Sequence, residues 1–340
     1  MSQQLVLRHP GVVIGKPFFS SITANPSDPV YVAGIKHLRD AIAKRGEACG
    51  GASLVVKCVD IGPYGVGKGH DEFTGDCMQA HRYAILFVAT KEEQAAKSAI
   101  DIIKAWSVGC VSFTGANAPL ECGWGGAAMI RSAELLKHTY AGWNASGVEP
   151  LLTAFIDKIL MPNLLGRYKE IFFYANNWSL TILEALAQIY IYHNNSERYL
   201  WTLSEYRKLA PKTFVGSLGK NTDSHRDQIH SQFNLMGHIQ FCEIAWNQGI
   251  DLYKEVPILQ KSVEYIASIL NGKQPPDTLR EELTQVWFMP SAWDVAYNHY
   301  VHHQNQCMPE LAMLLSKPGH RPEGQSFNWG PSWAFQKPSV

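Results

Sequence analysis

Apolar residues recur along this chain at steps of three and four positions, the spacing that places them on one face of an α-helix. The first clear case spans residues 30–46, where Val32, Ile35, Leu38 and Ile42 keep this spacing and a glycine ends the run. The same period returns in further segments between short polar breaks: residues 77–90, 92–107, 125–143, 148–160, 179–195, 198–210, 224–249, 257–272 and 291–303. The pattern predicts ten to twelve helices, many of them in antiparallel pairs.

The breaks between these segments are short, and neither a linker nor a low-complexity stretch divides the chain. This favours one all-α domain over residues 1–340. No fixed repeat of roughly 34 or 40 residues is visible, so a solenoid of stacked repeats is disfavoured. We therefore expect an α/α barrel or toroid of antiparallel helix pairs. The segment 318–340 is rich in Gly, Pro and Trp, and we expect it to pack on the barrel as extended chain.

Composition narrows the possible partners. Lys and Arg number 30, as do Asp and Glu, so no overall field recruits nucleic acid or an anionic membrane, and an anionic ligand must be held by local cations. The ten Trp and 14 Tyr suit either a packed core or stacking on sugar rings. The start of the chain lacks a signal-peptide pattern, and no apolar run is long enough to cross a membrane. We expect a monomer.

A glycine-rich segment, "IGPYGVGKGHDEF" at residues 61–73, has nearly the spacing of a phosphate-binding loop. That loop needs Ser or Thr after its lysine to hold magnesium, but here Gly69 follows Lys68. The strand-like residues 53–59 precede it, yet no further strand–loop–helix units follow, so the parallel sheet of a nucleotide site is missing. A surface loop, or a loop that closes over another ligand, remains.

Three stretches carry side chains suited to chemistry. Arg226 and His230 are one helical turn apart, but taken alone this motif favours a core histidine and an arginine paired with Asp223 or Asp227. Asn177 is placed to cap a helix, which leaves the amide of its neighbour Asn176 available for a ligand. In "WDVAYNHYVHH" two tyrosines, Tyr297 and Tyr300, lie one turn apart beside three histidines.

Metal binding is not predicted at these stretches. His299 and His303 have the i, i+4 spacing of zinc ligands, but the glutamate of the HExxH arrangement is missing because Tyr300 follows His299. The seven cysteines are scattered, with no paired spacing typical of zinc. We expect neither a metal nor another cofactor.

Several of these pieces, in this order, resemble the alginate lyase superfamily. The resemblance runs from about His9 to Trp333 and is strongest in the blocks "NAPLECGW" and "EIAWNQGIDLY". It rests on "HPGVVI", the glycine-rich loop, "FTGANAPLECGWGGAAMIRSAELL", "NNW", "HRDQIHSQFNLMGHIQFCEIAWNQGIDLY" and "WDVAYNHY". It implies an all-helical α/α toroid and a lyase that cleaves uronic-acid polysaccharides by β-elimination.

The chain departs from the family's pattern at two positions. The best-known alginate lyases carry Asn-Asn-His where this chain has "NNW", which places Trp178 at the histidine's position. They also carry a tyrosine where this chain has Phe233. In this respect the chain resembles the wider branch that includes glucuronan lyases. His230 could supply the missing imidazole, and Tyr297 or Tyr300 the missing phenol.

The resemblance also implies roles for individual residues. Asn177 and Arg226 would neutralise the substrate carboxylate, while His230 and a tyrosine would transfer protons. The loop 61–73 would be a lid over the sugar groove, with glycines that permit opening. Secretion or a periplasmic location would follow. Substrate contacts are expected from Tyr64, Lys68, His70, His81, Asn117, Glu121, Trp124, Asn176, Trp178, Gln232 and His299.

Two other classes remain open. A glycoside hydrolase on an α/α toroid would need two carboxyl groups across the scissile bond, for which Asp71, Glu72, Asp76 and Glu121 are available. A non-catalytic protein that binds an acidic polysaccharide is the other alternative, and Phe233 in place of a tyrosine is its best argument.

Overall fold

The computed structural model describes residues 5–15, 20, 25–49, 53–171, 175–289 and 292–317 of the chain. Short π-helical turns, Ile156–Leu160 and Asn298–His303, extend two of its helices. The predicted all-α class is confirmed. The α-helices in this part are α1 Pro29–Cys49, α2 His70–Thr90, α3 Glu93–Gly109, α4 Ala118–Thr139, α5 Trp143–Ser146, α6 Val148–Phe155, α7 Met161–Ile171, α8 Asn177–Tyr192, α9 Ser196–Leu209, α10 Gln228–Asn247, α11 Leu252–Glu255, α12 Ile258–Leu270, α13 Trp293–Tyr297 and α14 Pro309–Ser316.

Five of these helices form the inner layer of an α/α toroid. α2, α4, α8, α10 and α12 pack one against the next in that order. Other helices cover them, with α1 and α3 on α2, α7 on α4 and α8, α9 on α8, and α14 on α12. In α8 every residue except Trp178 is buried, as expected for a helix that is covered on all sides.

Glycines let α4 approach both of its inner neighbours. A Cβ at Gly123 would lie 2.8 Å from the Cγ2 atom of Thr181 on α8. A Cβ at Gly125 would lie 2.6 Å from the ring of Phe73 on α2. Real Cβ atoms do not approach other atoms this closely, so the "GWGGAA" stretch of α4 is a packing feature of the inner layer.

A buried polar network also joins α4 to α8. The Arg131 guanidinium donates to Glu184 Oε1 at 2.7 Å and to Gln188 Oε1 at 2.8 Å. All three side chains are buried. Burial raises the pKa of Glu184 to about 7, against the opposing effect of Arg131.

Two small sheets accompany the helices. β1 Cys58–Ile61 pairs antiparallel with β2 Gly67–Lys68 and parallel with β3 Ser112–Thr114. This sheet makes the glycine-rich loop a hairpin and holds it beside the start of α4, where Asn117 N–H donates to Ile61 O at 3.0 Å. β4 Phe214–Val215 and β5 Lys220–Asn221 form an antiparallel ribbon just before α10.

The structure differs from the sequence prediction at several elements. The helix expected from residue 77 begins at His70, and the one expected from residue 224 begins at Gln228. The helices α7 and α14 were not predicted. α6 follows α4 and α5 in the chain but packs mainly on α3. The predicted extended segment 318–340 lies outside the described residues. In the described part, no helix combines the length and apolar character needed to cross a membrane.

Candidate functional site

Four inner helices begin at one cleft of about 590 Å³. Its wall also includes the tip of the β1–β2 hairpin, through Pro63 and Gly65, and Gln285 from the segment after α12. The lining residues from the helix starts are His70 of α2; Asn117, Leu120, Glu121 and Trp124 of α4; Asn177 and Trp178 of α8; and Arg226, Asp227, Ile229, His230 and Phe233 at α10.

Because four helices begin at the cleft, their dipoles give it a positive electrostatic potential. The first N–H groups of a helix lack partners within the helix, and they carry the positive end of its dipole. α2, α4, α8 and α10 all direct this end toward the cleft. Arg226 adds a full positive charge at the start of α10. The lining also holds two carboxylates, Glu121 and Asp227, but each is bonded to a histidine. The cleft is therefore suited to an anionic group, although the chain has no net charge.

His230 is held by the residue that caps its own helix. The Asp227 carboxylate accepts the backbone N–H of His230 at 2.8 Å, and both of its oxygens lie 2.8 Å from His230 Nδ1. A carboxylate only accepts hydrogen bonds, so Nδ1 carries a proton, and in the neutral ring Nε2 keeps a lone pair. The pair thus has the form of a general base with an orienting carboxylate.

A second histidine–carboxylate pair lies in the same cleft. His70 Nδ1 is 2.5 Å from Glu121 Oε2, and the Thr74 hydroxyl donates to the other oxygen of this fully buried carboxylate. The hydrogen bond to Glu121 raises the pKa of His70, partly offset by burial. His70 therefore keeps its second proton to a higher pH than an exposed histidine does.

Aromatic side chains form apolar surfaces between and beside these pairs. Trp124 stacks on Phe233 with 5.3 Å between ring centroids, and Phe233 meets the His230 ring edge-on at 6.0 Å. Trp178 lies under the guanidinium of Arg167, with 5.1 Å between that group and the ring centroid. Such surfaces suit the apolar faces of sugar rings.

Asn177 has a fixed orientation, whereas Arg226 stands at the rim. The backbone N–H and the Nδ2 group of Asn177 donate to the two oxygens of Asp223, at 2.9 and 3.0 Å, and Asn234 donates to the same carboxylate at 2.8 Å. Burial raises the pKa of Asp223 despite these bonds. The Arg226 side chain is 44% exposed, and its Nε lies 3.7 Å from Asp227 Oδ2.

The tyrosines proposed from sequence do not line this cleft. The Tyr300 side chain is buried, contacts Tyr253 edge-on and has a pKa well above the usual value because of burial. Tyr297 contacts the His302 ring. His299 is buried, stacks on Tyr253 at 3.7 Å, and has its pKa lowered to about 4 by burial. These three side chains belong to the packing around α13.

Other predicted contacts also lie outside the cleft lining. His81 is buried within α2, where burial lowers its pKa to about 3. Gln232 bonds the backbone at Trp287 and Met289, and so fixes the segment that carries Gln285. Asn176 is the N-cap of α8, and Lys68 is exposed on β2. The side chain of Tyr64 lies outside the described part.

Sequence reasoning missed the roles of two aspartates. Asp227 and Asp223 entered only as possible partners of Arg226, yet they orient His230 and Asn177. The contact between Asp227 and His230 could have been recognised from sequence, because the aspartate stands three residues before the histidine at a helix start. The contact between Asp223 and Asn177 spans 46 residues and depends on the tertiary fold.

Comparison with known proteins identifies the family. The alginate lyase family model matches residues 80–275. The fold is similar to an alginate lyase from Bacteroides ovatus, at TM-score 0.67 and 12% identity, over 92% of this chain and 97% of that one. It is also similar to alginate lyase A1-III from Sphingomonas species A1, at TM-score 0.56 and 14% identity, over 79% and 76% of the two chains.

A variant of the A1-III enzyme complexed with a tetrasaccharide is similar at TM-score 0.61 and 14% identity, over 80% of this chain and 79% of that chain. No curated protein sequence matches the chain significantly. The family model covers more than half of the chain, and the similar structures share its helical toroid over most of its length. The chain belongs to the alginate lyase family and is a polysaccharide lyase.

Proposed function

We propose that this protein cleaves a uronic-acid polysaccharide, alginate or glucuronan, by β-elimination in the cleft at the starts of α2, α4, α8 and α10. The observation that carries the proposal is the combination of an anion-attracting cleft with two histidine–carboxylate pairs. Similar structures are named alginate lyases. Trp178 and Phe233, which replace the usual histidine and tyrosine, favour the branch that includes glucuronan lyases.

The first requirement of β-elimination is a neutralised carboxylate, because the C5 proton of a uronate becomes acidic only when the developing enolate is stabilised. Arg226 supplies a full charge and up to two parallel N–H donors. Asn177 retains a second Nδ2 hydrogen after donating to Asp223. The start of α8 adds the positive end of its dipole. These groups together would hold the carboxylate and stabilise the enolate.

The second requirement is a base and an acid. His230 Nε2 would take the C5 proton, since Asp227 holds the other nitrogen protonated. The electron pair of the C5–H bond then forms the C4=C5 double bond, and the bond from C4 to the bridging oxygen breaks. His70 would donate its proton to that leaving oxygen, because Glu121 raises the pKa of His70. Proton exchange with water restores both histidines.

This assignment replaces the tyrosine expected from sequence with His70, because neither Tyr297 nor Tyr300 lines the cleft. The hairpin with Pro63 and Gly65 at its tip would act as the lid, and its exposed residue Val66 would face solvent when the lid is open. Trp124 and Trp178 would stack on the sugar rings. We further propose a monomeric enzyme that acts outside the cytoplasm, where such polymers occur.

A second candidate is a member of the lyase family that has lost its activity and binds the acidic polymer without cleaving it. Phe233 favours this alternative, since it lines the cleft where the family's pattern has a tyrosine. A hydrolase would instead use Glu121 and Asp227 as its carboxyl pair, but each of these is bonded to a histidine.

A panel of polymers separates these functions. The protein is incubated with mannuronate-rich alginate, guluronate-rich alginate, glucuronan and neutral cellulose as control, and ultraviolet absorbance and reducing ends are both followed. A lyase produces reducing ends together with an absorbing unsaturated end, and we expect this on at least one uronate polymer. Reducing ends without absorbance would indicate a hydrolase. Retention on the polymer without either product would indicate a binding protein.

A further inference from the structure

Two histidines and a buried glutamate meet between the N-terminal segment and α4, outside the cleft lining. His9 comes from the segment of residues 5–15, and Glu134 and His138 are four residues apart on α4. The side chain of Glu134 is fully buried, whereas the two imidazoles are partly exposed. One ligand atom from each residue lies within 4.8 Å of the others.

Both imidazoles direct a nitrogen toward the same carboxylate. His9 Nδ1 lies 2.7 Å from Glu134 Oε1, and His138 Nε2 lies 3.5 Å from Glu134 Oε2. The two rings stack with 4.4 Å between centroids and 18° between planes. Glu134 Oε2 is buried, and His138 Nε2, at 3.5 Å, is too distant to make a good hydrogen bond to it. A buried carboxylate oxygen in this position calls for a cation.

A hydrogen bond on the far side of the His9 ring orients this histidine for binding a cation. His9 Nε2 lies 3.3 Å from Asn194 Oδ1, which can only accept a hydrogen bond. When neutral His9 donates its Nε2–H to Asn194 Oδ1, the lone pair of its Nδ1 faces Glu134. Two acceptors 2.7 Å apart require a proton or a metal ion between them. Ligating histidines commonly use their other nitrogen in this manner.

We propose that His9, Glu134 and His138 bind a zinc ion, with a fourth position open to water. Two imidazoles and one carboxylate form a common zinc donor set, and tetrahedral bonds of about 2.0–2.2 Å place ligand atoms about 3.3 Å apart. The observed separations of 2.7 and 3.5 Å lie on either side of this value. The ion would attach the N-terminal segment to α4, so its role is structural and separate from the proposed lyase chemistry.

Metal titration of the protein tests this site. The protein, stripped with a chelator and dialysed, is titrated with Zn²⁺ by calorimetry and with Co²⁺ by visible absorption. We expect one equivalent of each ion, the strong visible bands of tetrahedral Co²⁺, and a higher melting temperature with Zn²⁺. His138→Ala should weaken Zn²⁺ binding by at least about 10-fold, and Asn194→Ala by about 10–100-fold as an outer partner of a ligand.

The matched control is His37→Ala, which removes a histidine of α1 and should bind Zn²⁺ as the wild type does. His138 is partly exposed, so its replacement should leave the fold intact, and far-ultraviolet circular dichroism checks this. The proposal is overturned if wild-type protein binds no Zn²⁺ in large molar excess. It is equally overturned if folded His138→Ala binds Zn²⁺ with unchanged affinity, since exposed Cys58 or Cys307 would then account for the binding.

Discussion

At the scale of single residues, the proposed chemistry depends on how one carboxylate sets the protonation of one histidine. Glu121 is buried and accepts from both His70 and Thr74. The hydrogen bond from His70 is the main reason that the pKa of this histidine is raised. As pH rises through that pKa, His70 loses the proton that it would give to the leaving oxygen, so kcat should fall on the alkaline side.

Glu121→Gln tests this relation. The amide keeps the size of the side chain but removes the charge that favours protonated His70. We expect the alkaline limb of the kcat–pH profile to move to lower pH and the rate at neutral pH to drop. Thr74→Val is the comparison, since it removes a bond to the same carboxylate but keeps the charge. An alkaline limb that stays in place in Glu121→Gln would remove His70 from the role of acid.

The two neighbouring asparagines offer a second residue-scale test. Asn177 lines the cleft and is oriented by Asp223, whereas Asn176 is the N-cap of α8 and accepts from the Trp178 N–H. Asn177→Ala should lower kcat by about 10²–10³, the usual cost of losing one donor to a developing anion. Asn176→Ala should cost about 1 kcal/mol of stability and leave kcat nearly unchanged. Similar kcat values for the two variants would contradict the assignment.

At the scale of elements, helical periodicity located most helices of the inner layer. It did not give the residues at which helices begin, nor which helices pack together. The start of α2 was missed because Gly69, in the left-handed region at φ 84°, is an unusual N-cap that precedes polar residues. α7 begins directly after the π-helical turn Ile156–Leu160, and α14 has only eight residues, so neither shows a clear period. The packing of α6 on α3 depends on tertiary contacts that no local pattern records.

The sequence likewise predicted only part of the candidate site, namely the residues that belong to local motifs. His230, Arg226 and Asn177 follow from local motifs, and they line the cleft. The tyrosines did not line it, because a motif gives the position of a residue along its helix but not the direction in which the helix presents it. His70 was expected as a substrate contact only, since its partner Glu121 lies 51 residues away.

The β1–β2 hairpin gives an element-scale prediction. Gly67 has φ 155°, and a Cβ there would lie 1.9 Å from Asp60 O, so Gly67→Ala must distort the hairpin. Gly65 has φ 75°, but a methyl group added there would meet no atom within 4 Å, so Gly65→Ala costs only about 1–2 kcal/mol of local strain. If the hairpin is a lid, Gly67→Ala should raise KM several-fold more than Gly65→Ala.

The melting temperature is measured for both hairpin variants alongside KM. The hairpin is short and exposed at Gly65, Val66 and Lys68, so its distortion should leave the helical toroid largely intact. A large drop in melting temperature for Gly67→Ala with an unchanged KM would show that the hairpin supports the fold and does not cover the substrate.

At the scale of the whole molecule, the inner layer depends on a buried ion pair between α4 and α8. Arg131→Met leaves Glu184 buried without its partner, and breaking a buried pair in this manner costs about 3–5 kcal/mol. The surface control Lys36→Ala loses a pair with Asp40 in which both side chains are largely exposed, and it should have little effect. Chemical denaturation measures both free energies of unfolding.

The stability lost in Arg131→Met should depend on pH in a defined direction. Burial raises the pKa of Glu184 in the folded state to about 7, above its ordinary value of 4.5. The folded protein therefore binds more protons than the unfolded chain between these values, and stability falls as pH rises through this window. Without Arg131 the folded-state pKa rises further, so the destabilisation should be greater at pH 8 than at about pH 5.5. Equal destabilisation at both pH values would contradict this account.

The central claim is that His230 removes a proton from a uronate in this cleft and that no tyrosine of α13 or the π-turn after it takes part. It is tested most directly by the initial rate at which unsaturated ends form on the best polymer, compared among wild type, His230→Ala, Tyr297→Phe and Tyr300→Phe. We predict that folded His230→Ala loses about 10²–10⁴ in kcat, the usual contribution of general acid–base catalysis, while both tyrosine variants retain most of it. Near-full kcat in folded His230→Ala, or a comparable loss in either tyrosine variant, would contradict the account.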